Sequence, residues 1–219
     1  MDNLDIGPIV EVIQNTPSPT SYLRHYPDFG LPHYWYEAVG RHDPPYSDEE
    51  ENAVIEAKKD DPPAADEVFN NIFLGNKGAA ENVDFLVKKG ITHMLNLASD
   101  TNLKFFVVPE REKLDEIGIE LKEMKLRDRP GENICERFRE SGMWMRSSLA
   151  SGGKVMVNCW QGASRSATIV LAFLIQHHKM PLIDAIKMVK SKRDIRPNNG
   201  FLKQLLLLEV QLVEGVFRI

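Results

Sequence analysis

Only two of the 219 residues are cysteine, Cys135 and Cys159. So sparse a set excludes a disulfide framework and a thiolate metal cage, and it fits a reducing cytoplasmic location that extends to the nucleus. No run of eighteen apolar residues exists to span a bilayer, and the N-terminus (MDNLDIGPIVEV) lacks the basic-then-apolar order of a secretory leader. Positive charge is short as well. Lys and Arg number 27 against 32 Asp and Glu, a net charge of −5, which argues against a general binder of nucleic acid or of an anionic membrane. No His/Cys spacing suits a metal, and neither a metal nor a cofactor is expected.

What is present is unevenly distributed. A hydrophobic fraction of 42% in a chain of this length supports one sizeable core plus additional sequence. Nine of the thirteen prolines fall within the first 63 residues, together with the acidic run Ser47-Asp-Glu-Glu-Glu51. That composition predicts an N-terminal extension over 1–63, poorly ordered over much of 1–50, ahead of a globular domain over 64–219. Within the extension, Tyr34-Trp35-Tyr36 is either a local packing patch or a docking peptide.

From about Asp66 the periodicity becomes that of a folded domain. Short apolar runs predict strands at Ile72–Leu74, His93–Leu97, Ile119–Met124 and Lys154–Val157. Helical spacing appears at Asn82–Lys89 (stopped by Gly90), Pro109–Glu116, Ile134–Leu149, Ser166–His177, Leu182–Lys190 and Gly200–Val213. Alternating strands and helices predict an α/β fold, a single twisted sheet with helices on both faces. In such a sheet the ligand site is expected where a strand's carboxyl end leads into a helix.

One loop satisfies that rule and also carries reactive chemistry. The stretch Val155-Met-Val-Asn-Cys-Trp-Gln-Gly-Ala-Ser-Arg-Ser166 runs from strand to Cys159, reaches Arg165 six positions later and opens a helix. A helix N-terminus offers unpaired N–H groups and a positive dipole end, which favour a thiolate, the nucleophilic form of cysteine. The same amides can hold phosphoryl oxygens, and Arg165 can grip two of them with its planar fork. A nucleophile, an anion cradle and a fork in one loop read as phosphate-ester chemistry. The bland alternatives are a buried, inert Cys159 and a structural Arg165, but a cation at a helix N-terminus favours a bound anion or the thiolate as its partner.

Four further stretches lie collinear with this loop: Asn71-Ile-Phe-Leu-Gly-Asn76, Gly90-Ile-Thr-His-Met-Leu-Asn-Leu97, Leu171-Ala-Phe-Leu174 and Arg196-Pro-Asn-Asn-Gly-Phe-Leu-Lys-Gln-Leu205. With them, the chain from about Asp66 to Glu214 resembles the small atypical dual-specificity phosphatases of the protein tyrosine phosphatase superfamily. The resemblance implies that Cys159 forms a phosphocysteine intermediate and that Arg165 stabilises the transferring phosphoryl group. It implies a phosphate-binding cradle formed by the amides of Trp160, Gln161, Gly162, Ala163, Ser164 and Arg165, with Ser166 assisting departure of the thiolate. Asp128, in Leu126-Arg-Asp-Arg-Pro-Gly131, matches the mobile-loop general acid and later base; its bland reading is a solvated turn residue. Asn199 matches a residue that braces the cradle, or else caps a helix. Arg193 matches a position that binds a second phosphate or an acidic substrate surface, or else is a solvated loop charge.

Asn158 departs from the family, which places His before the nucleophile. Asn can donate hydrogen bonds but cannot carry charge, so the thiolate would lean on the loop amides and Arg165. Each lost unit of pKa shift would correspond to about 1.4 kcal/mol. Trp160 either walls the pocket or packs beneath the loop. His177 and His178, adjacent on a helix, diverge and are expected to form no joint site. His93 is expected to be packed in its strand, and Cys135 receives no role.

No long insertion precedes Ile72 to deepen the pocket, and Trp160, Gln161, Ala163 and Ser164 add no cation for extra phosphates. The expected substrates are therefore phosphorylated proteins carrying phosphotyrosine and phosphoserine or phosphothreonine. The competing readings are a weakly active or inactive scaffold that binds phosphorylated partners, motivated by Asn158, and a phosphatase for non-protein phosphates.

Overall fold

The computed structural model describes residues 63–98 and 111–213. The expectations for residues 1–62, including the Tyr34-Trp35-Tyr36 patch, and for residues 109–110 lie outside the described residues.

Five strands form one sheet: β1 (Ala65–Phe69), β2 (Ile72–Gly75), β3 (His93–Asn96), β4 (Glu120–Glu123) and β5 (Val155–Asn158). Their order is β1-β2-β5-β3-β4, with β1 antiparallel to β2 and every other pair parallel. β5 is thus central. Its neighbours end in register with it, since Gly75 and Asn96 both pair with Asn158. All three chain segments therefore leave the sheet at the same carboxyl end of the strands, where the loop begins.

Alternation along the strands divides the core. Ile72, Leu74, Leu95, Val155 and Val157 face one way and Phe73, Met94 and Met156 the other, as the period of two requires. The second face is covered by α1 (Lys77–Glu81), α2 (Val83–Lys89) and α3 (Arg111–Glu116), through Ala79, Ala80, Leu86 and Leu114. The first is covered by α4 (Phe138–Ala150), α5 (Arg165–His178), α6 (Leu182–Lys190) and α7 (Asn199–Val213). The expected α/β architecture, one sheet with helices on both faces, is the one observed. α5 is buried from Arg165 to Gln176, which explains its nearly uninterrupted apolar sequence. Each fully buried Val, Leu or Ile here stabilises the fold by about 1.5–3 kcal/mol.

Most element boundaries fall within a residue or two of the expected ones. Asn82 caps α2 through a 2.9 Å bond from Phe85 N–H, and Gly90 closes it at φ +70°. Three features differ. β1 is an edge strand too short and too polar to show a period. α1 is a single capped turn, started by the Asn76 carboxamide accepting from Ala79 N–H at 2.9 Å. The run Ile134–Leu149 splits into a 3-10 turn (Ile134–Arg137) followed by α4. There Gln204 of α7 takes over, accepting from Cys135 N–H at 2.9 Å and donating to Glu132 O at 2.9 Å. Tertiary hydrogen bonds thus replace a local start to the helix.

Candidate active site

The loop between β5 and α5 is held by its carbonyls. Trp160 O accepts from Lys77 N–H (2.9 Å) and Ala163 O from Arg196 N–H (2.7 Å). Gln161 O and Gly162 O both accept from Arg193, each at 2.8 Å. Four consecutive carbonyls therefore turn outward to protein donors, and a peptide chain so restrained directs its N–H groups to the concave side. Gly162 makes the curvature possible. Its φ is +68°, and a Cβ there would lie 2.4 Å from Gly75 O and 2.7 Å from the Arg193 guanidinium, so no side chain fits.

Cys159 lies inside this curve, 1% exposed, with Sγ 3.2 Å from Ser166 Oγ. Burial is the strongest influence on the thiol and pushes its pKa up. The Arg165 guanidinium and hydrogen bonds from the Ser166 hydroxyl and backbone N–H outweigh burial and the opposing Asp128 carboxylate, so the thiol lies below its ordinary value. Cys135 is the contrast: it stands at the surface, yet partial desolvation of its thiol and then the Glu136 carboxylate raise its pKa. Alkylation followed against pH should therefore give a midpoint for Cys159 below that of a free thiol and one for Cys135 above it. Peptide mapping of the alkylated sites checks the order, and a reversed order would remove the activated nucleophile.

Arg165 is buried at the start of α5. Its Nη1 donates to Leu126 O at 3.0 Å and reaches Leu97 O at 3.5 Å, tying it to the segments that follow β4 and β3. Its Nε, 3.6 Å from Asp128 Oδ2, makes no hydrogen bond. A carboxylate from another loop, which was not among the expected partners, thus stands beside this cation, and the guanidinium also lowers the Cys159 thiol.

Asp128 is brought in by tertiary structure alone. Its Oδ1 accepts from Ser164 Oγ at 2.7 Å and from Asn198 Nδ2 at 3.0 Å. Ser164 occupies the N-cap position of α5 without capping it, because its hydroxyl serves Asp128 instead. Gly200 lets the loop that carries Asp128 approach, since a Cβ there would sit 1.9 Å from Pro130 O. Asp128 is held at the cradle rather than left as a solvated turn residue.

Two assignments change, and one of the two alternatives for Trp160 is selected. The brace expected of Asn199 belongs to its neighbour Asn198, whose Oδ1 accepts from Phe201 N–H at 3.0 Å while its Nδ2 holds Asp128. One residue along a helix start rotates a side chain by about 100°, so only one of two adjacent asparagines can face the site. Arg193 is neither solvated nor turned to the surface: it is 2% exposed and bonded to the loop carbonyls. Trp160 packs beneath the loop, 6% exposed, with Lys77 Nζ 5.4 Å from its ring centroid. His93 packs edge-on against Trp144 and His177 and His178 pack on Phe173.

Asn158 is fully buried and donates to Asn96 Oδ1 at 3.0 Å, which also accepts from Ala98 N–H at 3.0 Å. The pair fastens the ends of β5 and β3 beneath Cys159 and brings no charge to it. The thiol is lowered all the same, because Arg165 and Ser166 supply the stabilisation. Sequence reasoning missed Asn96, Asn198 and Asp66, which carry no reactive signature; the Asn-x-Gly spacing of Asn198 and Gly200 was the one available clue to a helix start at the site.

A family model described as the dual specificity phosphatase catalytic domain matches residues 72–211. The chain belongs to that family. It is accordingly a cysteine-dependent dual-specificity protein phosphatase by class. This dual specificity phosphatase is 38% identical over 153 residues to dual specificity protein phosphatase 26 of Mus musculus, covering 69% of this chain and 70% of that one. It is 40% identical over 152 residues to dual specificity protein phosphatase 13B of the same organism, covering 67% and 73%. Among solved structures, human DUSP28 is similar with a TM-score of 0.61 at 29% identity, covering 69% of this chain and 97% of that one. The human tyrosine phosphatase-like serine/threonine/tyrosine-interacting protein is similar with a TM-score of 0.62 at 30% identity, covering 68% and 97%. Among the described residues of the phosphatase, no helix is long and apolar enough to cross a membrane.

Proposed function

We propose that this phosphatase hydrolyses phosphotyrosine and phosphoserine or phosphothreonine in protein substrates through a phosphocysteine intermediate. The observation that carries the reading is a thiol held below its ordinary pKa inside a loop whose four consecutive carbonyls turn outward. Cys159 thiolate attacks phosphorus in line with the ester oxygen, so the S–P bond forms as the P–O bond breaks. Asp128 gives its proton to the departing oxygen; with Oδ1 already accepting two hydrogen bonds, Oδ2 is the oxygen that carries it. Loop amides and Arg165 Nε take up charge on the transferring oxygens. Asp128 then removes a proton from water, the water oxygen bonds to phosphorus, and the S–P bond breaks. The Ser166 hydroxyl, 3.2 Å from Sγ, donates to the returning thiolate.

The absence of cations at Trp160, Gln161, Ala163 and Ser164 favours phosphoprotein over polyphosphoinositide substrates, and the acidic net charge of −5 disfavours nucleic-acid and membrane partners. A reducing cytoplasmic or nuclear setting suits a catalytic thiol. Rapid acid quench with a phosphotyrosine peptide tests the mechanism. The expected result is a burst of product with phosphate covalently on Cys159, unaffected by chelators; product formation without any phosphoenzyme would overturn it. Phosphoserine peptides and phosphoinositides run in the same assay decide the substrate class.

A further inference from the structure

Arg193 is fully committed to protein partners. Nε donates to Gly162 O and Nη2 to Gln161 O, both at 2.8 Å, while Nη1 pairs with Asp66 Oδ2 at 2.7 Å. A planar guanidinium fork suits two neighbouring acceptors in one plane, and here it spans two successive carbonyls of the cradle. Asp66 lies on edge strand β1 and balances a charge that would otherwise be buried without a counter-ion.

We propose that Arg193 and Asp66 form a positioning clamp that sets the curvature of the phosphate cradle, and that Arg193 does not read a second substrate phosphate. Geometry makes the first part. Drawing the Gln161 and Gly162 carbonyls toward Arg193 turns the following amides to the concave side, and the Arg193 guanidinium fills the space that a side chain on Gly162 would need. Accessibility makes the second. A guanidinium 2% exposed, with Nε, Nη1 and Nη2 each bonded to protein, would have to break the clamp before it could meet a phosphate. β1 is tied to the same region a second time. Ala64 N–H donates to Asn76 Oδ1 and Asn76 N–H to Ala64 O, both at 2.9 Å, and the next residue, Lys77, donates its N–H to Trp160 O. The domain's first strand is thus part of the support of its catalytic loop.

The inference rests on the proposed phosphatase reading, and one experiment separates the two. Arg193→Lys keeps the charge and removes the fork, so any change reports geometry. The expected result is a fall in kcat/KM of about 10- to 100-fold, equal for 4-nitrophenyl phosphate, a singly phosphorylated peptide and a doubly phosphorylated peptide. The alkylation midpoint of Cys159 should also rise toward that of a free thiol as the cradle loosens. Asp66→Asn, which keeps an acceptor and removes the counter-charge, should move both readouts in the same direction by less, and it serves if the Arg193 variant does not fold. A loss confined to the doubly phosphorylated peptide would overturn the clamp in favour of a second-phosphate site. Unchanged kcat/KM and an unchanged midpoint would overturn it outright. The midpoint does not depend on turnover, so a wild-type protein inactive on every substrate would remove the phosphatase reading while still reporting on the clamp.

Discussion

Replacing Cys159 by serine is expected to lower turnover of any phosphate ester on the order of 10⁵-fold or more, the scale seen when a covalent nucleophile is removed. A hydroxyl in this site has a far higher pKa than a thiol, and Arg165 and Ser166 cannot make it an alkoxide at neutral pH. Binding should survive. The outward carbonyls, Arg193 and Arg165 do not depend on the sulfur, so the cradle remains formed. Removing the thiolate also removes a negative charge facing a phosphate dianion, and the variant should bind a phosphotyrosine peptide at least as tightly as wild type. Isothermal titration beside single-turnover kinetics checks both halves. Equal turnover in the two proteins would eliminate Cys159 as the nucleophile; lost binding would mean that the sulfur holds the cradle together.

Replacing Asp128 by asparagine should lower kcat by about 10²–10⁴-fold, the usual contribution of a positioned general acid. Asparagine preserves an acceptor for Ser164 and Asn198, so the loop should stay in place while the transferable proton is lost. The deficit should shrink with leaving groups that depart without protonation, such as an activated aryl phosphate, and be largest for phosphoserine. A second consequence follows with a definite sign. The Asp128 carboxylate raises the Cys159 pKa, so removing its charge should move the alkylation midpoint further down, even as activity falls. A variant with an unchanged kcat across leaving groups, or with a midpoint that rises, would place Asp128 outside the reaction.

The parts of this protein legible in the chain are those whose physics is local. β2, β3 and β5 are buried on both faces and read as short apolar runs; α2 is marked by its Asn82 cap and Gly90 stop; α5 is apolar all round because the sheet and helices α4, α6 and α7 enclose it. The loop between β5 and α5 was visible for the same reason, since Cys159, the left-handed Gly162 and Arg165 fall within eight residues. β1 and α1 were not visible. Each is about five residues long, below the length at which periodicity separates from chance, and each forms because a neighbouring strand or the Asn76 cap is already in place. The split of Ile134–Leu149 has a similar origin, a glutamine on α7 that competes for the helix's first backbone groups.

Site residues divide along the same line. Cys159, Gly162, Arg165 and Ser166 are set by sequence, because a strand, a tight turn and a helix N-terminus position them with nothing else required. Asp128, Asn198, Arg193 and Asp66 are set by tertiary structure, because they come from segments dozens of residues apart that meet only where parallel strands end in register at Gly75, Asn96 and Asn158. Which of two adjacent asparagines faces the acid, and whether an arginine faces solvent or the loop carbonyls, depends on helix phase and burial. A single sequence does not encode those as a pattern, because hydrogen-bond partners distant along the chain decide them.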